Sequence, residues 1–195
     1  MPLQLRHLSG DRPGDLAIVD AVLRSHPTFG RRSLYHPTDA ALFMRSASMP
    51  CTPEQLQVFA VVKRGKVCGV AKVLLHVPDA RTALLDLLMI QADATGQGLG
   101  SEALEHLSVK ARRWTGINRW QLMVLDCHTR AQAFWRAQGF QLTRIALEAE
   151  GPEGRGQGAT VHWMERPLRR PSSARSQPPC RSTGRGSVLA PQRPQ

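Results

Sequence analysis

The chain has 195 residues, 42% of them hydrophobic, and its 26 basic and 15 acidic residues leave a net charge of +11. Such a length can bury a sizeable core without disulfides or metal, and no apolar run approaches the roughly 18 residues of a membrane helix. From Pro167 to Gln195 the chain carries six arginines (Arg169, Arg170, Arg175, Arg181, Arg185, Arg193) and no acid, so residues 1–166 hold only 20 − 15 = +5.

In chain order, Leu3–Leu8 alternates apolar and polar residues and reads as a strand. Asp15–Ser25 has helical apolar spacing at Leu16, Val19, Val22 and Leu23, and Pro27 stops it. Thr38 or Asp39 caps a second helix over Ala40–Ser48. Gln57–Val62 and Val67–Val77 flank the hairpin signal Arg64-Gly65. Arg81–Ile90 is too continuously apolar for a surface strand, so it belongs in the middle of a sheet. A glycine run, Thr95–Gly100, leads into a helix from Ser101 to Trp114 with Leu104, Leu107, Ala111 and Trp114 on one face. Arg119–Leu125 is a strand, and Thr129–Gln138 a helix stopped by Gly139. Phe140–Leu147 and Thr160–Arg166 form a strand pair around the glycine-rich loop Gly151–Gly158, which could serve as a lid. The order β-α-α-β-β-β-α-β-α-β-β, hairpins first and crossovers later, predicts an α+β (or α/β) fold with a mixed sheet.

Residues 167–195 hold six prolines and no aromatic residue, so they are read as a disordered basic tail after a domain at 1–166. Its arginines could bind nucleic acid through counterion release, but a solvated extension is the favoured reading. Cys51, Cys68, Cys127 and Cys180 form no CxxC pair, which argues against a metal site. With no apolar secretory segment visible, they read as reduced thiols of a cytoplasmic protein. Trp114, Trp120 and Trp163 read as packing residues.

The chemistry concentrates at Gly96, Gly98 and Gly100. Glycines followed by a helix start leave backbone amides uncovered beside the positive end of a dipole, which suits phosphate. A Walker A loop is excluded because no lysine follows. A dinucleotide fingerprint would use Asp126 as its acid, but only about 40 residues of domain follow, too few to complete that fold.

The segment Thr95-Gly96-Gln97-Gly98-Leu99-Gly100 resembles the coenzyme loop R/Q-x-x-G-x-G/A of the Gcn5-related N-acetyltransferases, with Leu88-Met89-Ile90 as its strand-side lead-in. A second stretch, from His128 through Ala131, Phe134 and Trp135 to Gly139-Phe140, is similar to that family's N-x-x-A-x-x-F-Y-x-x-x-G-F. The resemblance covers residues 3–166 and implies that family's fold, with a V-shaped splay between the fourth and fifth strands. It implies transfer of acetyl from acetyl coenzyme A to an amine acceptor by direct attack, without metal, in a protein that could pair as a homodimer. Gly96, Gln97, Gly98, Leu99, Gly100 and Ser101 would hold the pyrophosphate, with Thr95 beside them, and the backbone of Leu88, Met89 and Ile90 would pair with the pantetheine arm. A strand amide would face the thioester oxygen.

The sequence departs from the family pattern at three positions. Thr95 stands where Arg or Gln is usual, which removes a phosphate contact. Trp135 stands at the usual tyrosine, and an indole N–H is no proton donor for a leaving thiolate. His128 replaces an asparagine; it could bond the coenzyme arm, move protons or cap its helix. Asp86 interrupts the apolar run of its strand, where a carboxylate is costly unless paired or useful. By strand alternation it shares a face with Leu88 and Ile90, and it is the expected general base, with His76 and Asp93 as further candidates. Arg31, Arg32 and Tyr35 fall where the family binds its variable acceptors. Two other readings are a non-catalytic acyl-coenzyme A sensor, suggested by Trp135 and Thr95, and a nucleic-acid-associated protein, suggested by the tail.

Overall fold

The computed structural model describes residues 2–27, 39–148 and 159–168; the readings placed on Arg31, Arg32, Tyr35, Gly151–Gly158 and residues 169–195 lie outside them. The elements are β1 (Gln4–Leu8), α1 (Pro13–Arg24), α2 (Ala40–Arg45), β2 (Leu56–Lys63), β3 (Lys66–Leu75), β4 (Thr82–Ile90), α3 (Leu99–Ala111), β5 (Arg119–Leu125), α4 (Thr129–Ala137), β6 (Gln141–Glu148) and β7 (Ala159–Pro167). The strands form one sheet in the order β1-β2-β3-β4-β5-β7-β6, which puts the apolar β4 at its centre. All neighbours are antiparallel except β4 and β5. A single parallel pair in a sheet of hairpins excludes the parallel dinucleotide-binding architecture.

Local chemistry explains most boundaries. Arg64 and Gly65 both take positive φ, 51° and 75°, and close the two-residue hairpin between Lys63 and Lys66, a turn whose twist matches that of its strands. Asp39 caps α2 by accepting the Leu42 N–H at 2.7 Å. This helix ends at Arg45 rather than Ser48, because Ser46 turns extended and its carbonyl accepts from the buried Lys72 Nζ at 2.9 Å. After α4, Gly139 adopts φ 83°. Its N–H bonds the Arg136 carbonyl, and the Phe140 N–H bonds that of Trp135. This is a Schellman stop whose apolar contact is Phe140 against Trp135, ring centroids 5.4 Å apart. Phe140 therefore belongs to the core, and β6 begins one residue later than expected.

Helices cover both faces. On one face, Leu104, Leu107 and Ala111 of α3 and Trp135 of α4 pack on Trp120, Leu122 and Met164. On the other, Val19, Val22 and Leu23 of α1 and Phe43 of α2 pack on Val58, Ala60 and Val70. Trp114 lies beyond α3, edge-on to Trp120 at 6.3 Å. Pro167 still pairs with Arg119, and Leu168 is buried and donates its N–H to Asn118. Folded structure thus continues past residue 166.

Candidate active site

β4 and β5 pair only from Thr82–Leu84 to Arg119–Gln121. Beyond that point β4 follows β3 and β5 follows β7, so the two strands part toward their C-terminal ends. The glycine loop and the start of α3 follow β4, while Cys127, His128 and α4 follow β5. These segments enclose a cleft of about 860 Å³, lined by Leu88, Ile90, Thr95, the loop glycines, Ser101, His128, Phe134 and Trp135, with His26 entering from the end of α1.

Backbone geometry shapes its floor. Gly96 and Gly98 have φ of 76° and 74°, a region costly to residues with a Cβ, and Gly98 is the residue from which α3 starts. Gly100 serves packing instead, since a Cβ there would meet the Phe134 ring at 3.2 Å. The first-turn amides of α3 lack helical acceptors and carry the positive dipole end. Glu102 in that turn points away from the cleft: its carboxylate accepts from Lys63 Nζ at 2.6 Å and from the Leu3 N–H at 3.3 Å. Chiefly through the Lys63 bond, its carboxyl sits below the usual range.

Of the residues expected at a coenzyme site, Leu88, Ile90, Thr95, Gly96, Gly98, Leu99, Gly100, Ser101, His128 and Trp135 line the cleft. Met89 is buried on the α1 face, and the Gln97 amide turns back to donate to the Asp93 carbonyl. Thr95 Oγ1 donates to the Ala92 carbonyl at 2.8 Å and fixes the turn before the glycines. Trp135, 9% exposed, is held edge-on between Phe134 and Phe140. His128 stands at the N-cap of α4 without a side-chain capping bond. Asp126 is within 3.0 Å of His162 Nε2 on β7. His76 bonds the Ala80 carbonyl in the β3–β4 turn, at the end of β4 remote from the cleft.

Asp86 does not share a face with Leu88 and Ile90. Lys72 pairs with Leu87 while Val73 pairs with Leu85, so Asp86 is the extra residue of a β-bulge and alternation resets there. Leu88 and Ile90 pack toward Leu99 and Ala103. Asp86 lies on the α2 side, bonded to the Ser48 hydroxyl and, at 3.3 Å, to the Ser48 N–H. Its side chain and that of Lys72 are both 0% exposed, with Nζ 3.9 Å from Oδ2. The ammonium also lies 3.8 Å from the centre of the Phe43 ring. Burial, opposed by Asp86, lowers the Lys72 ammonium to about 8, and burial followed by the Asp86 charge raises the Cys51 thiol. Lys72 and His26 went unnoticed in the sequence. A lysine inside the apolar run of β3 was a usable signal; His26, next to a helix-ending proline, gave none.

Among the described residues no group of His, Cys, Asp and Glu is placed to hold a metal ion, and no helix is long and apolar enough to cross a membrane.

Residues 23–140 match the model of the acetyltransferase (GNAT) family. Among solved structures, the fold is similar to an acetyltransferase from Thermus thermophilus, with 25% identity over 86% of this chain and 97% of that one and a TM-score of 0.63. It is also similar to the ribosomal-protein-S18-alanine N-acetyltransferase from Escherichia coli (18% identity, 88% and 97% covered, TM-score 0.56). A chimera of the spermidine N-acetyltransferase SpeG from Vibrio cholerae with hSSAT gives 16% identity, 86% and 96% covered, and a TM-score of 0.64. No curated protein matches the sequence.

Proposed function

The chain belongs to the acetyltransferase (GNAT) family, and from that premise we propose that it is an N-acetyltransferase whose β4–β5 cleft takes acetyl coenzyme A and an amine. The observation that carries this reading is the early end of β4–β5 pairing at Leu84 and Gln121, above a floor of left-handed glycines. Edge groups of β4 beyond Leu84 are left without a β5 partner, so the backbone around Leu88, Met89 and Ile90, apart from the Ile90 carbonyl that holds His26, suits the pantetheine amides as an added strand would. The loop amides from Gly96 to Ser101 take the pyrophosphate; Gln97 contributes through its main chain.

An acceptor amine attacks the thioester directly. Charge building on the thioester oxygen is met by a strand amide, a fixed dipole that needs no reorganisation during the reaction. Trp135 contributes shape rather than a proton, since its indole donates only a weakly acidic N–H. A coenzyme thiol with an ordinary pKa of about 8.5 is a fair leaving group even so. His128, on the α4 wall, faces the coenzyme arm. The bulge at Asp86, tied to Ser48 beside Lys72, falls just past the last β4–β5 pair at Leu84.

Titration calorimetry with acetyl coenzyme A, run beside a thiol-release assay over a panel of amines, tests the proposal. Binding with turnover is the expected result. A folded protein that binds no acetyl coenzyme A refutes it.

A further inference from the structure

The proposed reaction needs a group that strips a proton from the acceptor, because an alkylammonium with a pKa of about 10.4 is almost wholly protonated at neutral pH. The described residues lining the cleft include no carboxylate, and Asp86 is enclosed on the other face of the sheet. The titratable side chains that do line it are His26, Cys127, His128 and Arg130.

We infer that His26 is a catalytic residue, whose Nδ1 accepts the proton of the acceptor ammonium in the cleft; this rests on the acyl-transfer reading above. His26 follows the last turn of α1, with its N–H bonded to the Leu23 carbonyl. Ser25 fastens this exit to the end of β4: its Oγ donates to the Val22 carbonyl at 2.7 Å and accepts the Ala92 N–H at 3.4 Å. The His26 ring lies with Nε2 2.7 Å from the Ile90 carbonyl oxygen. A carbonyl can only accept, so Nε2 carries the ring proton and Nδ1 holds the lone pair. The ring is thereby anchored to the splayed strand whose Leu88 and Ile90 wall the cleft.

The two cleft histidines sit at opposite helix ends. His26 follows the C-terminal end of α1, and His128 stands at the N-cap of α4. The bond to Ile90 fixes the His26 ring and its tautomer beside the splayed strand, and proton uptake is assigned to His26 on that geometry. The ammonium proton passes to Nδ1, and the nitrogen lone pair forms the bond to the thioester carbon. The C–S bond breaks with its electron pair on sulfur. The second amine proton leaves as the amide forms and is balanced by a proton that sulfur takes from water, and the imidazolium returns its own proton to water.

The test uses His26→Gln, whose amide still donates to Ile90 but has no basic nitrogen, and His26→Ala. Acetyl coenzyme A affinity is measured by calorimetry. Thiol release is followed with primary alkylamines and with methoxyamine, which is unprotonated at neutral pH. Both variants are expected to bind acetyl coenzyme A, to lose about 100-fold or more in kcat with alkylamines, and to lose far less with methoxyamine. Added imidazole should restore part of the His26→Ala rate. Equal losses with both kinds of amine would make His26 a latch for α1 and overturn the inference, as would unchanged kcat. Wild-type protein that binds but never turns over also overturns it, whereas wild-type protein that fails to bind refutes the acyl-transfer reading itself.

Discussion

The buried Lys72 makes a prediction about stability whose size and sign follow from the structure. Its side chain is 0% exposed, and its ammonium is lowered from the usual 10.5 to about 8, mainly by burial. That drop is worth about 3 kcal/mol, which the folded state forgoes while the lysine stays charged. Above pH 8 the folded protein releases this proton, but the unfolded chain keeps it until about pH 10.4. Unfolding in that window takes up a proton, so stability rises with pH, by up to about 3 kcal/mol between pH 8 and 10.5. Urea unfolding of wild type and Lys72→Met at several pH values in this range measures it. Other groups titrate there in both proteins, so the reading is the difference between their slopes. Asp86, Cys51, the Ser46 carbonyl and the Phe43 ring face Lys72 in the wild type and remain in the variant. The reasoning fails if the two proteins gain stability with pH in parallel.

Gly98→Val forces a β-branched residue into a φ of 74° at the start of α3 and is expected to abolish acetyl coenzyme A binding in calorimetry while circular dichroism shows a folded protein. Trp135→Tyr should raise kcat for thiol release, because a phenol at this cleft position can protonate the departing sulfur; no gain would show that another step limits the rate. Gly139→Ala places a Cβ at φ 83° in the α4 stop and should cost about 1–2 kcal/mol, read as a lower thermal midpoint with coenzyme affinity unchanged.

Much of the fold was legible because it is written in local patterns. The apolar spacing of Val19, Val22 and Leu23, the Arg64-Gly65 turn and the Gly139 stop each carry their own physical signal within a few residues, and the structure contains each feature. Arg81–Ile90 declared itself a central strand by continuous apolarity, and it occupies the middle of the sheet. The reading of Asp86 missed for an equally definite reason. Strand alternation assumes an unbroken register, and the bulge between Leu85 and Leu87 breaks it. The expected extension of α2 to Ser48 missed because a buried lysine on a different element claimed the Ser46 carbonyl.

The sequence by itself determined the element order, the glycine loop and the family resemblance, since each depends on residues close together in the chain. Only the tertiary structure decided which chemistry shares the cleft. It brought His26 of the α1 exit to the Ile90 carbonyl, 64 residues away in the chain, while placing Asp86 with Ser48 and Lys72 on the opposite face. Such meetings are set by where strands part and where a bulge falls. Those follow from how the whole sheet packs between its helices, and no local periodicity encodes them.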